Sequence, residues 1–177
     1  MIAKELLNPK SIAVIGASGD TQKPGGSILR NLLNSNFKGE VYTVNPKETE
    51  VQGVKCYQKV EDLPQVDCAI IAIAAKFCPA TVNTLAFEKG TKGFIIVSAG
   101  FSEENEQGAE FERQIVETIN KVGGSLIGPN CTGFLNRNYC GAFDSPIPTL
   151  DPHGVDFVTG SGATAVFIKE YGMTNEY

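Results

Sequence analysis

Ser11-Ile12-Ala13-Val14-Ile15-Gly16-Ala17-Ser18-Gly19 decides the architecture of this 177-residue chain. A short apolar run stops at a glycine and passes into small residues. A strand covered on both faces reads as a nearly continuous apolar run rather than an alternating one. Small residues after it let backbone N–H groups approach an anion where the next helix begins. The pattern recurs, with predicted strands at 12–16, 40–44, 68–73, 93–98 and 125–127. Helices are predicted between them, near 26–34, 77–90 and 105–122. Strands alternating with helices through short connections imply a doubly wound, parallel α/β sheet.

Local signals agree with that reading. Pro79 stands near the start of one predicted helix and Gly90 just past its end, the positions these residues favour. Ile115, Val116, Ile119 and Val122 recur at helical spacing, with Glu112, Glu117 and Lys121 on the remaining surface. Residues 36–39 and Asp62-Leu63-Pro64 read as turns. Residues 136–154 hold three prolines and two glycines without periodicity, which describes an irregular connector. Val155-Asp156-Phe157-Val158 and Thr159-Gly160-Ser161-Gly162-Ala163 then repeat the opening theme of strand, glycine turn and helix. One strand and one helix cannot bury a core of their own. The expected organisation is therefore a first domain over 1–135, a connector over 136–154, and the truncated start of a second α/β domain over 155–177.

The end of the second strand narrows the ligand. In a sheet that binds NAD, an Asp or Glu there accepts hydrogen bonds from a ribose hydroxyl. Here Val41-Tyr42-Thr43-Val44 runs into Asn45 and Pro46, and the first charge is Lys47. A cation suits a ribose that carries a phosphate, as coenzyme A and NADP do. The net charge of −5 argues against nucleic acid or an anionic membrane as partner. The longest apolar stretch, residues 68–75, has eight residues, far short of the roughly 20 that a membrane helix needs. The first nine residues lack a secretory pattern, and five cysteines without C-x-x-C spacing imply reduced thiols, a cytoplasmic setting and no zinc site.

Ser11-Ile12-Ala13-Val14-Ile15-Gly16-Ala17-Ser18, Val44-Asn45-Pro46-Lys47, Asp62-Leu63-Pro64, Val97-Ser98-Ala99-Gly100-Phe101-Ser102-Glu103 and Gly128-Pro129-Asn130-Cys131 follow one another at suitable spacing. Together they resemble the CoA-binding domain of NDP-forming acyl-CoA synthetases, a family that includes ADP-forming acetyl-CoA synthetase and is related to the succinyl-CoA synthetase α subunit. The resemblance covers essentially the whole chain. It implies a Rossmann-like domain followed by a flavodoxin-like, succinyl-CoA synthetase-like domain. It also implies an acid–thiol ligase in which acyl-CoA and phosphate give an acyl phosphate. A histidine carries the phosphoryl group, and an ATP-grasp domain or subunit passes it to ADP. That histidine lies further along the second domain, so this chain is expected to bind CoA without turning it over, within an enzyme that is oligomeric when complete. The second domain usually opens with Ser-Gln-Ser-Gly, and Thr159-Gly160-Ser161-Gly162 departs from that pattern at its second position.

The resemblance assigns roles by position. Gly16 would turn the chain tightly, and Ala17, Ser18 and Gly19 would bring N–H groups and the Ser18 hydroxyl against the CoA diphosphate or the adjoining pantetheine; a plain β–α turn is the bland alternative. Lys47 would pair with the ribose 3′-phosphate, with Asn45 and Pro46 shaping the adenosine pocket, unless it is a solvated turn lysine. Ile73, Ala74 and Ala75 would line the adenine or pantetheine, with Phe77 and Cys78 as packing residues. Ser98, Ala99 and Gly100 would leave room for the pantetheine arm, with Phe101 either capping the channel or packing in the core. Asn130 would face the thiol end or simply form a turn. His153, the one histidine, reads as a surface turn residue, Cys131 as a small buried thiol, and Glu103, Glu104 and Glu106 as a solvated run starting a helix. Two rival readings stay open at this level: a CoA-sensing module attached to an acetyltransferase, and an NADP-binding domain.

Overall fold

A computed structural model describes residues 2–151 and 153–175, so Pro152, Glu176 and Tyr177 of the predicted C-terminal segments lie outside the described residues. Its parallel strands are β1 (Ser11–Ile15), β2 (Glu40–Val44), β4 (Val54–Tyr57), β5 (Cys68–Ile71), β6 (Gly93–Ile96) and β7 (Ser125–Ile127). β3 (Glu50–Val51) pairs antiparallel with β4, and the sheet order is β3-β4-β2-β1-β5-β6-β7. Ile15 lies opposite Val44 on one side and Ile71 on the other, and Ile71 lies opposite Ile96. Four strands therefore end level. The chain leaves β1 towards β2 and later returns to β5 on the other flank, which opens a crevice at the carboxyl ends beside β1, where open α/β sheets take ligands.

Alternation along each strand supplies two cores. Ala13, Ile15, Ala69, Ile71, Phe94 and Ile96 face Val82 and Leu85 of α3 (Cys78–Glu88) and Ile115 and Ile119 of α4 (Glu106–Lys121). Ile12, Val14, Ile70 and Ile95 face Ile28, Leu29 and Leu32 of α2 (Pro24–Asn34). Each fully buried Ile or Leu contributes about 1.5–3 kcal/mol, so the two layers drive the fold. Helix starts are set locally: Pro24 and Pro79 occupy first-turn positions, and the Asn105 side chain accepts from Gly108 N–H at 2.9 Å. Among the described residues, no helix is long and apolar enough to cross a membrane.

Three features depart from the sequence reading. α1 (Lys4–Leu7) and the β3–β4 hairpin form where no element was expected. Val155–Val158 does not form a strand: Val155 and Val158 are each 96% exposed, and no neighbouring ladder satisfies that backbone. α5 (Gly162–Asn175) does follow, and its Lys169 pairs with Asp144 and donates to Pro146 O. The third is that the first part of the predicted connector is held against α2, a contact the sequence reading did not include. Leu135 and Cys140 form a β-bridge, and Asn31 Nδ2 on α2 donates to Ala142 O at 2.9 Å and to Asp144 O at 3.0 Å.

The connector is also tied to the start of the chain. Asn136 and Asn138 side chains donate to Leu7 O at 2.7 and 3.2 Å, and Tyr139, 1% exposed, donates its hydroxyl to Leu6 O at 2.7 Å. Tyr139→Phe strands a buried carbonyl. Such a loss costs about 1–3 kcal/mol, equivalent to roughly 2–12 °C in melting temperature for a chain of this size. Thermal denaturation is expected to show that drop, with CoA affinity unchanged.

Candidate functional site

The loop after β1 is shaped by close backbone approach. Gly16 has φ +85°, and a Cβ there would lie 2.4 Å from Ala72 O, so only glycine fits. Gly16 N–H and Ala17 N–H both donate to Val44 O, at 2.9 and 3.3 Å, because the β1–β2 ladder runs on into the loop. Ala17 is fully buried. Its N–H is thus turned inward, contrary to the expectation that it faces a ligand. Ser18 and Gly19 N–H have no partner among the described residues. Ser18 Oγ accepts from Asp20 N–H at 3.1 Å and keeps its own proton to donate. Gly19 is exposed, and nothing lies within 4 Å of where its Cβ would stand.

Sequence reasoning missed two residues that hold this loop down. A Cβ on Gly25 would lie 2.0 Å from Gly16 O, and one on Gly26 2.0 Å from Asp20 O. The signal was present, since a Gly-Gly pair in the first turn of a helix costs about 1 kcal/mol per residue against alanine and needs a packing reason.

After β2, Asn45 Nδ2 donates to Ala17 O at 2.8 Å while its Oδ1 accepts from Lys47 N–H at 2.9 Å. Asn45 therefore joins the glycine loop to its own turn. Pro46 and Lys47 are exposed, and the Lys47 ammonium has no partner among the described residues. After β5, Ile73 lies against Gly16, Ala74 is exposed, and Ala75 Cβ would stand 3.2 Å from a Cβ at Gly100. Cys78 is buried as predicted, but Phe77 is 56% exposed, because a single 3-10 turn over Ala75–Phe77 throws its ring outward before α3 begins. Lys76 Nζ sits 5.0 Å from the centroid of that ring, within cation–π range.

After β6, Ser98 is half-buried, Ala99 is exposed and Gly100 has φ +103°. Glu103 is not part of a helix start, since α4 begins at Glu106 behind the Asn105 cap. Its two carboxylate oxygens accept from Gly100 N–H at 2.7 Å and Phe101 N–H at 3.2 Å, which fixes the turn. Desolvation pushes this carboxyl up, but the backbone donors outweigh it and hold it below the usual range. Its support for the turn is complete above the ordinary carboxylate range and fades only as pH falls through the lowered value. Phe101 is fully buried and belongs to the core rather than to a channel cap. After β7, Asn130 adopts φ +53° and donates its N–H to Ser98 O at 2.9 Å, while its side chain is exposed and unpartnered among the described residues. Cys131 Sγ donates to Ile96 O at 3.4 Å, and burial raises its thiol, which suits an inert residue. His153 is exposed, with its backbone N–H on Asp151 Oδ1 at 2.6 Å.

The pairings Asn45–Ala17, Gly16–Ile73, Ala75–Gly100 and Ser98–Asn130 join five loops into one floor along the carboxyl edge. Along that floor lie two N–H groups, an ammonium without a partner among the described residues, a hydroxyl and a path of small residues. Such a floor suits an extended ligand with anionic groups. Residues 10–137 match the family model described as CoA binding domain. The chain belongs to this family.

The CoA binding domain is 48% identical over 134 residues to acetate–CoA ligase (ADP-forming) II of Archaeoglobus fulgidus, covering 75% of this chain and 20% of that protein. It is 43% identical over 158 residues to the α subunit of acetate–CoA ligase (ADP-forming) II of Pyrococcus furiosus, covering 88% of this chain and 34% of that subunit. Its fold superimposes with a TM-score of 0.86 and 36% identity on the dinucleotide-forming acetyl-coenzyme A synthetase 1 of Ca. Korarchaeum cryptofilum, solved with phosphate and ADP, covering 97% of this chain and 36% of that one. The chain thus spans a fifth to a little over a third of the length of these relatives. CoA is the cofactor of this CoA binding domain, and the Rossmann-like sheet expected from sequence is the fold it shares with them.

Proposed function

We propose that this chain is the CoA-binding portion of an ADP-forming acyl-CoA synthetase, which interconverts acyl-CoA, ADP and phosphate with acid, CoA and ATP. The CoA diphosphate lies over Ser18 and Gly19, taking their N–H groups and the Ser18 hydroxyl, while Gly16 and Ala17 form the scaffold beneath. Lys47 pairs with the ribose 3′-phosphate, with Asn45 and Pro46 beside the adenosine. Ile73, Ala74 and Ala75 line the adenine side, Ser98, Ala99 and Gly100 the pantetheine arm, and Asn130 the thiol end. Phosphoryl transfer comes from an ATP-grasp domain or subunit and a histidine carrier outside this chain. Residues from 155 onward begin the succinyl-CoA synthetase-like unit, a reading supported by the exposure of Val155, Val158 and Phe167, which wait for a partner sheet. The complete enzyme is cytoplasmic and oligomeric.

One observation carries this reading. Two unpartnered N–H groups under open space stand next to a strand end that offers an ammonium where an NAD site needs an acid. Calorimetry with CoA, dephospho-CoA and NADP tests it. CoA is expected to bind and dephospho-CoA to bind about three- to tenfold more weakly, since a solvent-facing lysine contributes modestly to pairing a phosphate. Lys47→Ala is expected to remove most of that difference. Equal binding of CoA and dephospho-CoA refutes the lysine assignment, and preference for NADP refutes the CoA site.

A further inference from the structure

The β3–β4 hairpin closes through Gln52-Gly53, with φ +51° and +80°, between the paired residues Val51 and Val54. Two consecutive residues of positive φ make the tight hairpin turn whose first position favours Asn, Asp or Gly. Glutamine is a poor local choice there, and a locally disfavoured residue usually answers to a need elsewhere. The side chain identifies that need. Gln52 Nε2 spends one N–H on Ser18 O and the other on Gly26 O, both at 2.9 Å.

The peptide plane gives this contact its consequence. In a trans peptide the carbonyl and the following N–H point in opposite directions. Holding Ser18 O towards the hairpin therefore aims Gly19 N–H the other way, into the open space above the loop. Asn45 does the same to the preceding unit by holding Ala17 O, which aims Ser18 N–H outward. The second bond, to Gly26 O, ties the same Gln52 amide to the helix start under the loop, so the donor that holds Ser18 O is itself fixed in place.

We propose that Gln52 is a positioning residue for CoA: it reaches from the neighbouring hairpin to lock the Ser18–Gly19 peptide with its N–H turned to the diphosphate. This rests on the reading of the carboxyl edge as the CoA site. Gln52 touches no ligand and acts through the loop.

Gln52→Gly and Gln52→Met separate positioning from ordinary stability in the full 177-residue chain. Glycine suits the positive φ, which offsets the loss of the two part-buried hydrogen bonds, so Gln52→Gly is expected to keep the melting temperature within a few degrees of the parent's. Methionine keeps most of the bulk but offers no donor. Both variants are expected to weaken CoA binding about tenfold by calorimetry, with the ratio of CoA to dephospho-CoA affinity unchanged because Lys47 is untouched. In the ligand-free protein, the Gly19 amide resonance is expected to shift and broaden in both variants as the peptide begins to rotate. That signal reports on the clamp without any ligand, whereas the CoA affinity of the unaltered protein tests the reading of the edge, so the two failures look different. Unaltered CoA affinity in Gln52→Gly and Gln52→Met, a loss that merely follows a fall in melting temperature, or an unmoved Gly19 resonance overturns the proposal.

Discussion

Gly19→Trp is expected to abolish CoA binding while the melting temperature stays where it is. Gly19 is exposed, and no heavy atom lies within 4 Å of its missing Cβ. Surface substitutions at such open positions usually change stability by no more than about 0.5 kcal/mol. The space that the indole would enter adjoins the loop N–H groups of Ser18 and Gly19, which nothing in the described protein uses. An anion is held here by direct approach to backbone donors, and a bulky side chain keeps it several ångströms away. Losing two charge-assisted hydrogen bonds, each worth about 1.5–3 kcal/mol, corresponds to more than a hundredfold in affinity. Calorimetry paired with thermal denaturation reads both halves. A tryptophan variant that binds CoA within threefold of the parent would remove the glycine loop from the site.

Gly25→Ala is expected to do the reverse, lowering stability by at least about 3 kcal/mol, or roughly 6–12 °C in melting temperature. Helix propensity alone predicts the opposite sign, since alanine is favoured over glycine within a helix by about 1 kcal/mol. The structure reverses that sign. The new methyl would stand 2.0 Å from Gly16 O, 2.9 Å from Gly16 C and 3.5 Å from Ala17 Cα. All three are backbone atoms of a buried turn, so no side chain can swing aside. Relief requires α2 to move off the loop, and the packing of Ile28, Leu29 and Leu32 on the sheet resists that. CoA affinity should fall with the fold, in contrast to Gly19→Trp. A melting temperature equal to or above the parent's would mean that the close approach of α2 to the loop is wrong.

The sheet was legible because buried strands announce themselves. Ile12, Val14, Ile70 and Ile95 face one core, and Ala13, Ile15, Ile71 and Ile96 the other, so both parities of each run had to be apolar. The edge was legible from order alone, since residues just after parallel strands must meet at one end. What escaped depended on atoms that sequence does not place. β3 and β4 are two and four residues long and alternate with charged residues, so no apolar run marked them. The same signature misled at Val155–Val158, where the residues suit a strand but the described structure holds no neighbour to pair with it. Ala17 looked like a ligand donor because it sits in the loop, yet the β2 ladder extends one step further and takes its N–H. Glu103 is exposed, in keeping with the crowd of acids in that stretch, but sequence does not show that its oxygens also close a turn. Phe77 looked like packing because it is aromatic, and the tight turn before α3 turned it out.

The knot of Asn136, Asn138 and Tyr139 on the carbonyls of Leu6 and Leu7 has a mechanical consequence. Glu5 and Leu6 press on Gly93, and Ala3 bonds Ser125, the first residues of β6 and β7, so this knot belongs to the amino end of the sheet. Tension arriving through the connector meets α2 first, at Ser27 and Asn31, and is grounded next at this knot, a full strand length from the loops that greet the cofactor. A tug from downstream is thus shared between α2 and the amino end of the sheet rather than borne by those loops alone.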